Sequence, residues 1–195
     1  MKDSMLLQNA ILIDPEAGTK GKGNILLKAG KIEKIFKEPV SNREKMILFD
    51  CCGKYLAPGI IDIGVKVCEP GERHKESFKS AGLAAAAGGV TTIVTRPDTF
   101  PTIDTPENLE FIRRRANIDS PVNVLPMAAL TKDREGKQMT EIGLMLDAGA
   151  VAFTDCDQVV EDARILQRAL AYARSLGTLV VGHPQDPNLS KGAAA

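Results

Sequence analysis

The sequence lacks the features that most readily mark a nucleic-acid-binding or membrane protein. It contains no Trp and only 2 Tyr, so we expect no aromatic platform for stacking on bases. The 25 basic and 25 acidic residues cancel, which argues against a polybasic surface for nucleic acid or lipid. No apolar run approaches the ~18 residues of a membrane span. Gln8 and Asn9 interrupt the first apolar run, which argues against a signal peptide.

Cysteine is also scarce. Cys51, Cys52, Cys68 and Cys156 form no C-x-x-C pair, and two of them are adjacent. This usage suits reduced thiols better than a disulfide scaffold. With 44% hydrophobic and 26% charged residues, the composition is typical of a globular protein. We therefore expect a cytoplasmic protein.

Residues 1–57 have the rhythm of a small antiparallel β unit. Turn signals such as Asp14-Pro15 separate its short apolar pieces. The Ala29-Gly30 pair predicts a hairpin. We predict strands over 6–13, 25–28, 31–36 and 46–50. Four such short strands have little core of their own, so the unit is expected to be incomplete.

Residues 58–195 alternate between apolar strands and amphipathic helices. The predicted strands cover 60–65, 91–95, 122–126, 150–153 and 179–182. They are nearly continuous apolar runs, as expected for parallel strands that are buried on both faces. They begin about 30 residues apart, which is the length of one β-α unit.

The intervening helices carry readable signals. Thr105 is a predicted N-cap, followed by Pro106 at the first helical position. Small side chains over 80–87 predict a helix packed close to the sheet. Apolar residues between 159 and 173 recur at helical spacing. The basic run 113–115 is interpreted as a solvated helix face.

Two architectures fit these alternating units, an open doubly wound sheet or a (β/α)₈ barrel. A barrel needs eight units and typically ~250 residues. Residues 58–195 supply about half of that number, and period alone does not decide between the two folds.

Five segments, in order, resemble the dihydroorotase branch of the amidohydrolases. The first resembles the family pattern P-G-x-I-D-x-H-x-H-x-R-[DE]-P-G, and the second resembles A-G-G-F-T-T with M-P-N-T. The segments are 58–62 (PGIID) with 69–71 (EPG), 86–92 (AAGGVTT) with 96–104 (RPDTFPTID), 130–132 (LTK) with 136–137 (GK), 149–155 (GAVAFTD) and 182–187 (GHPQDP).

The resemblance implies a fold and a site. It implies a partial TIM-type (β/α) barrel, about five of eight units over 58–195. The barrel follows a small antiparallel β-sandwich segment over 1–57. In the family, zinc ions at the barrel mouth are held by two His on strand one, a carboxylate or modified lysine on strand four, and further His. The metals activate a water for hydrolysis of a cyclic amide.

The predicted metal site departs from the family pattern. Gly64 and Lys66 occupy the two strand-one His positions, and only Asp155 and His183 match ligand positions. Glycine offers no ligand, and an ammonium repels a divalent cation. We therefore expect a degenerate site with no bound metal, and zinc only if the family site were intact. Lys66 is expected to fill the vacated position, paired with Asp155, or else to point to solvent.

The predicted substrate site departs as well. Cys68 takes the Arg position, and Asp98 takes the Asn position that would hold the substrate carboxylate. A carboxylate at 98 would repel such an anion. For the two matching residues a structural interpretation stays open, because Asp155 could cap the following helix and His183 could be a plain polar residue at a strand end.

Three functions follow from the resemblance. The chain could be a dihydroorotase of pyrimidine biosynthesis. It could instead be a non-catalytic dihydroorotase-like subunit that supports aspartate carbamoyltransferase in a homo- or hetero-oligomer. It could also be a truncated fragment without independent function. Loss of ligands with retention of packing residues favours an inactive protein.

Overall fold

The computed structural model describes residues 4–38, 46–185 and 189–190. The chain forms two compact units, Met1–Pro58 and Gly59–Ala195. None of the helices in these described parts has the length and apolar character needed to traverse a lipid bilayer.

In the described part of the first unit, the strands form one five-stranded sheet. β1 pairs antiparallel with β2, and β2 pairs antiparallel with β3. Ala29 and Gly30 both have positive φ, which confirms the predicted hairpin turn. The strands are β1 (Ser4–Asp14), β2 (Thr19–Lys28), β3 (Lys31–Phe36), β4 (Ile47–Asp50) and β5 (Tyr55–Leu56).

The expectation of a purely antiparallel unit is wrong. β4 and β5 both pair with β1 in parallel, so the sheet is mixed. The physical reason is that β2 occupies one edge of β1, while β4 and β5 lie along the other edge. There they run in the same direction as β1. A fifth strand, β5, was not predicted because two residues carry no periodic signal.

Over its described residues, the second unit contains five parallel strands that follow one another in chain order. β6, β7 and β8 form one hydrogen-bonded sheet, and β9 pairs with β10. Backbone bonds join the two parts, since Ala128 N–H donates to Ala152 O at 3.0 Å and Thr154 N–H donates to Ala128 O at 2.9 Å. All five predicted strands are confirmed, as β6 (Ile60–Val65), β7 (Val90–Thr95), β8 (Asn123–Pro126), β9 (Ala152–Phe153) and β10 (Leu179–Val180).

Four helices lie between these strands, and side-chain N-caps mark where three of them begin. Ser77 and Ser80 form a capping box at the start of α1, and the Thr105 hydroxyl accepts from Asn108 N–H at the start of α2. A methyl group on Gly82 would lie 2.6 Å from Pro121 Cδ, which explains why this position of the helix is glycine. The helices are α1 (Phe78–Ala87), α2 (Pro106–Asp119), α3 (Ile142–Asp147) and α4 (Ala163–Ser175).

The last helix begins later than the periodicity suggested. Val159 and Val160 precede α4, because Asp162 accepts a hydrogen bond from Arg164 N–H at 2.8 Å and so caps the helix at Ala163. The core lies between the sheet and these helices. Its fully buried members include Phe78, Ile93, Leu109, Ile112, Ile142, Met145, Phe153 and Ala169. This packing fixes the strands whose carboxyl ends carry the polar residues.

Candidate functional site

The polar residues predicted for the site lie just after the carboxyl ends of the parallel strands. In parallel α/β proteins this edge is where ligands bind. Lys66 follows β6, Asp98 follows β7, Asp155 follows β9 and His183 follows β10. The chain thus brings residues that are far apart in sequence to one edge of the sheet.

Gly64 sits at an irregularity in β6. The pairing of β6 with β7 shifts register between Ile63 and Val65, which leaves Gly64 as an extra residue. Its φ of +90° lies in the left-handed region that favours glycine. This kink precedes the strand-end residue Lys66, and Gly64 itself contributes no ligand.

Lys66 pairs with Asp98 rather than with Asp155. The Lys66 Nζ lies 3.0 Å from Asp98 Oδ2. The hydrogen bond and charge of Asp98 raise the pKa of the Lys66 ammonium above its ordinary value. The expected pairing of Lys66 with Asp155 is therefore wrong, because Asp98 stands nearer and the Asp155 carboxylate is engaged elsewhere.

Asp98 is a buried carboxylate held by two cations. Its side chain is 4% exposed. Arg96 forms a fork on it, with Nε 3.1 Å from Oδ1 and Nη2 2.9 Å from Oδ2. Since Lys66 binds the same carboxylate, the charge of Asp98 is neutralised by its neighbours. We expected Asp98 to repel an anion, but that expectation did not take account of the two cations that pair with this carboxylate.

The ion pairs continue from Asp98 across the strand ends. Arg96 Nη2 lies 3.7 Å from Asp157 Oδ1, and Arg134 Nη1 lies 3.3 Å from the same oxygen. Burial raises the pKa of the neighbouring Cys156 thiol, with the charge of Asp98 acting in the same direction. We call Lys66, Arg96, Asp98, Arg134 and Asp157 the strand-end ion-pair network.

Sequence reasoning missed Arg96, Arg134 and Asp157. Arg96 is the first residue of the segment 96–104 and Asp157 lies two residues after Asp155, so charged residues in or near the strand-end motifs were the available signal. Arg134 lies in a 3₁₀ turn, Lys132–Arg134, in the loop after β8. Nothing in its local sequence indicates that it would reach the loop after β9.

Asp155 joins two loops. Its Oδ1 accepts from Leu130 N–H at 2.9 Å and from Thr131 N–H at 3.0 Å, and its Oδ2 accepts from the Thr131 hydroxyl. Burial raises the pKa of this carboxyl, and these donors oppose that effect. Asp155 therefore does not cap the following helix, whose cap is Asp162. Both of its oxygens are aimed at protein donors, which leaves it poorly placed to bridge metals.

His183 is exposed at the end of β10. Its Nε2 lies 2.6 Å from Gln185 Oε1, two residues further along the chain. Among the described residues, no ion pair or hydrogen bond joins His183 to Asp155. Asp186 and Pro187, the last residues of the fifth motif, lie outside the described residues.

The residues present do not fit a dinuclear metal centre. Over 4–38, 46–185 and 189–190, no group of three or more His, Cys, Asp or Glu side chains could hold a metal ion. A zinc site ordinarily needs three or four protein ligands. At the position equivalent to the ligand pair, the chain offers a glycine and an ammonium already paired with Asp98.

A second buried carboxylate, Glu69, holds the loop after β6. Its Oε2 accepts from Phe78 N–H at 3.1 Å, and its Oε1 lies 2.9 Å from Arg115 Nε and 3.4 Å from Arg73 Nε. The interpretation of 113–115 as a solvated face is therefore wrong for Arg115. It is confirmed for Arg113, which is exposed although its Nη1 donates to Ala148 O at 2.7 Å. Glu69 belongs to the retained EPG motif, which thus has a structural role.

Comparison with known proteins identifies the family. The family model for dihydro-orotase-like proteins matches residues 53–195. The chain is 40% identical over 193 residues to a dihydroorotase of Sulfurihydrogenibium sp. (strain YO3AOP1), covering 98% of this chain and 45% of that protein. It is 36% identical over 188 residues to a dihydroorotase of Aquifex aeolicus, covering 96% and 44%.

Solved structures place the fold among the amidohydrolases. An L-hydantoinase from Arthrobacter aurescens aligns with a TM-score of 0.78 at 25% identity, over 92% of this chain and 40% of that one. A dihydroorotase crystal structure aligns with a TM-score of 0.60 at 14% identity, over 95% and 52%. The fold is thus the α/β fold of this barrel-forming class.

The chain belongs to the dihydroorotase-like family, as the family match and the curated relatives together show. It spans about 45% of the length of the Sulfurihydrogenibium relative that it matches.

Proposed function

We propose that this chain is a dihydroorotase-like protein of pyrimidine biosynthesis that does not perform metal-dependent hydrolysis. The observation that carries this proposal is the 3.0 Å pair between Lys66 Nζ and Asp98 Oδ2. A cation is already fixed at the edge where the family would hold its metals. A divalent ion placed beside it would meet Coulomb repulsion.

The state of Lys66 supports the same conclusion. A lysine can accept a metal only after it loses its proton, and the interaction with Asp98 opposes that loss by raising the Lys66 pKa. Gly64 supplies no donor atom at the other family ligand position. The remaining candidates are also engaged, since Asp155 accepts from backbone donors and His183 contacts Gln185.

We further propose that Gly59–Ala195 is a partial TIM-type barrel. Five parallel strands in chain order, each separated by helical segments, correspond to about five of the eight units of such a barrel. The residues that maintain this scaffold are intact. Glu69 and Asp155 each accept from several donors, whereas Gly64 and Lys66 occupy the two strand-one ligand positions of the family.

Retention of scaffold with loss of ligands is typical of a structural subunit. We therefore propose that the chain supports aspartate carbamoyltransferase in a cytoplasmic hetero-oligomer. Such a role needs packed loops and a stable surface, and it does not need a metal. The partner is proposed from the family resemblance.

The first test is metal content combined with dihydroorotate hydrolysis. We expect the purified chain, incubated with zinc and passed through a desalting column, to retain less than about 0.1 zinc per chain, because a catalytic zinc needs about three ligands. We expect no turnover above the uncatalysed rate. The Aquifex aeolicus dihydroorotase, treated identically, is the control. Stoichiometric zinc or turnover in this chain would contradict the proposal.

The second test addresses the partner. The chain and aspartate carbamoyltransferase from the same cells are expected to elute as one species of constant stoichiometry on size exclusion. Thermal denaturation should show a higher midpoint for the transferase in the mixture, because a partner that binds only the folded state stabilises it. Independent elution at micromolar concentrations, with an unchanged midpoint, would exclude this partner.

A further inference from the structure

The outer side of α2 carries two large apolar side chains that point away from the core. Successive residues of an α-helix are turned by about 100°, so Phe111 and Ile118 lie roughly 180–200° around the helix from the buried Leu109. Phe111 is 46% exposed and Ile118 is 76% exposed. This side of a helix ordinarily carries polar residues, because the apolar stripe faces the core. Both side chains therefore contribute little to the core of this chain.

Charged residues flank Phe111 along the same side of the helix. Glu107 lies one turn before it and Arg114 one turn after it, and both are turned roughly 140–160° from the buried side. The Arg114 side chain is 78% exposed, and its Nε lies 3.2 Å from Glu110 Oε1 within the helix. We call Glu107, Phe111, Arg114 and Ile118 the α2 ridge. The α2 ridge thus presents an acid, an aromatic, a base and an aliphatic residue along about 16 Å of helix.

The α2 ridge lies on the side of the helix that faces away from the sheet. Leu109, Ile112 and Ala116 of α2 turn toward the core instead. Strands added to this sheet would lie on that inner side and would leave the α2 ridge exposed. Aromatic residues and Arg are enriched at the centres of protein–protein interfaces, where one exposed apolar residue alone would be ordinary. The composition of the α2 ridge is therefore that of an interaction surface.

We propose that the α2 ridge binds the α2 ridge of a second copy of this chain across a two-fold axis at Phe111. Such an axis, perpendicular to the helix, makes the two helices antiparallel, so residues before Phe111 face residues after the partner's Phe111. Glu107 then faces the partner's Arg114, and Arg114 faces the partner's Glu107. The two Phe111 rings meet at the axis, where aromatic pairs pack favourably. Ile118 of each copy lies beside the first turn of the other helix.

The order of charges along the α2 ridge selects this partner and this orientation. A parallel arrangement would place Glu107 against the partner's Glu107 and Arg114 against the partner's Arg114, and like charges in contact oppose binding. An axis at Arg114 would likewise bring two guanidinium groups together. A partner that is purely acidic or purely basic would match only one of the two charges. The antiparallel second copy is the arrangement that pairs both charges.

The first measurement is sedimentation equilibrium of the purified full chain. A contact between two helices of about four turns lies at the small end of protein interfaces, so we expect a dissociation constant in the micromolar range. Samples from about 1 to 300 µM bracket that range and should pass from monomer to dimer. Phe111→Ala is expected to raise the dissociation constant at least about tenfold, because the symmetry makes each substitution act twice.

The second measurement exchanges the two charges and so identifies which residues face each other. Arg114→Glu places acids opposite each other at both ends of the contact, and it should raise the dissociation constant at least about tenfold. Glu107→Arg should do the same with bases. The double variant restores both pairs, and its dissociation constant should lie within about threefold of that of the wild type. Arg168→Glu, the same reversal at an exposed position of α4, is the control and should have no effect.

Three results would overturn the proposal. They are a chain that stays monomeric at the highest concentration, a dimer that Phe111→Ala and Arg114→Glu weaken no more than Arg168→Glu does, and a double variant that dimerises no better than the single variants. Circular dichroism and urea unfolding of every variant verify that each is folded, so that loss of the dimer is not caused by unfolding. The samples contain neither zinc nor a transferase, so the outcome is independent of the proposed function.

Discussion

Asp155→Ala is expected to lower the free energy of unfolding by about 3 kcal/mol, because it leaves several buried hydrogen-bond donors without an acceptor. The N–H groups of Leu130 and Thr131 and the Thr131 hydroxyl all donate to this carboxylate. No other acceptor replaces it at a site where Thr131 is fully buried. For a chain of this length the loss corresponds to a fall in thermal midpoint of about 6–12 °C.

Asp157→Ala is the matched control. Asp157 lies two residues away, but its side chain is 64% exposed and its contacts are ion pairs at 3.3 and 3.7 Å. Exposed ion pairs contribute about 0–1 kcal/mol, so this variant should change stability by less than that amount. Urea unfolding followed by circular dichroism measures both variants. Equal losses in the two variants would contradict the structural role assigned to Asp155.

The pH dependence of Asp155→Asn tests the same residue differently. Because burial raises the pKa of the Asp155 carboxyl, the folded chain keeps this proton to a higher pH than the unfolded chain. The stabilisation from this proton is fully present below the ordinary Asp value of about 4 and is lost as pH rises through the raised value. The advantage of the wild type over Asp155→Asn should therefore decrease with rising pH. An advantage that grows with pH would contradict the shift.

Glu69→Ala is expected to cost about 2–3 kcal/mol, since it leaves the buried Phe78 N–H without an acceptor and removes one of the two carboxylates that pair with Arg115. Glu69 is 4% exposed at its side chain and faces Arg115 Nε at 2.9 Å. It also accepts from the N–H of Phe78, whose side chain is fully buried in the core at the start of α1. The substitution thus loosens the contact between the loop after β6, α1 and α2.

Two further variants separate the effect of the Glu69 charge from that of its hydrogen bonding and from that of removing an exposed carboxylate. Glu69→Gln keeps a hydrogen-bond acceptor but loses the charge, so we expect an intermediate loss of about 1–2 kcal/mol. Glu72→Ala removes an exposed carboxylate that pairs with Lys75, and it should cost less than about 0.5 kcal/mol. Equilibrium urea unfolding gives all three values. A Glu69→Ala loss no larger than that of Glu72→Ala would show that the buried ion pair contributes nothing.

Most strands and helix starts of Gly59–Ala195 can be predicted from the sequence, because short local patterns indicate them. Buried parallel strands such as β7 are continuous apolar runs, and the Thr105 cap followed by Pro106 marks the start of α2. Helix α3 escaped prediction because it has six residues and no side-chain cap. The parallel pairing of β4 with β1 depends on where the chain returns, which no local pattern specifies.

The position of the candidate site at the strand ends could be predicted from the sequence. Which of its residues pair with one another could not. Lys66, Asp98 and Asp155 could be placed at strand ends because strand ends follow from the apolar runs. Their partners could not be assigned, since the Lys66–Asp98 pair spans two strands and Asp155 bonds to residues 24 and 25 positions earlier. Several carboxylates follow the strand ends, and only the three-dimensional arrangement shows that Lys66 pairs with Asp98.

The backbone conformation of Gly64 limits which side chains position 64 tolerates. A β-carbon added at Gly64 would meet no atom within 4 Å, so space does not prevent a larger side chain there. Its φ of +90° does, because an imidazole-bearing residue in that conformation costs on the order of 1–3 kcal/mol. A histidine at position 64 would therefore require a rearrangement at the end of β6, and Gly64→His alone is expected to be strained in the present backbone.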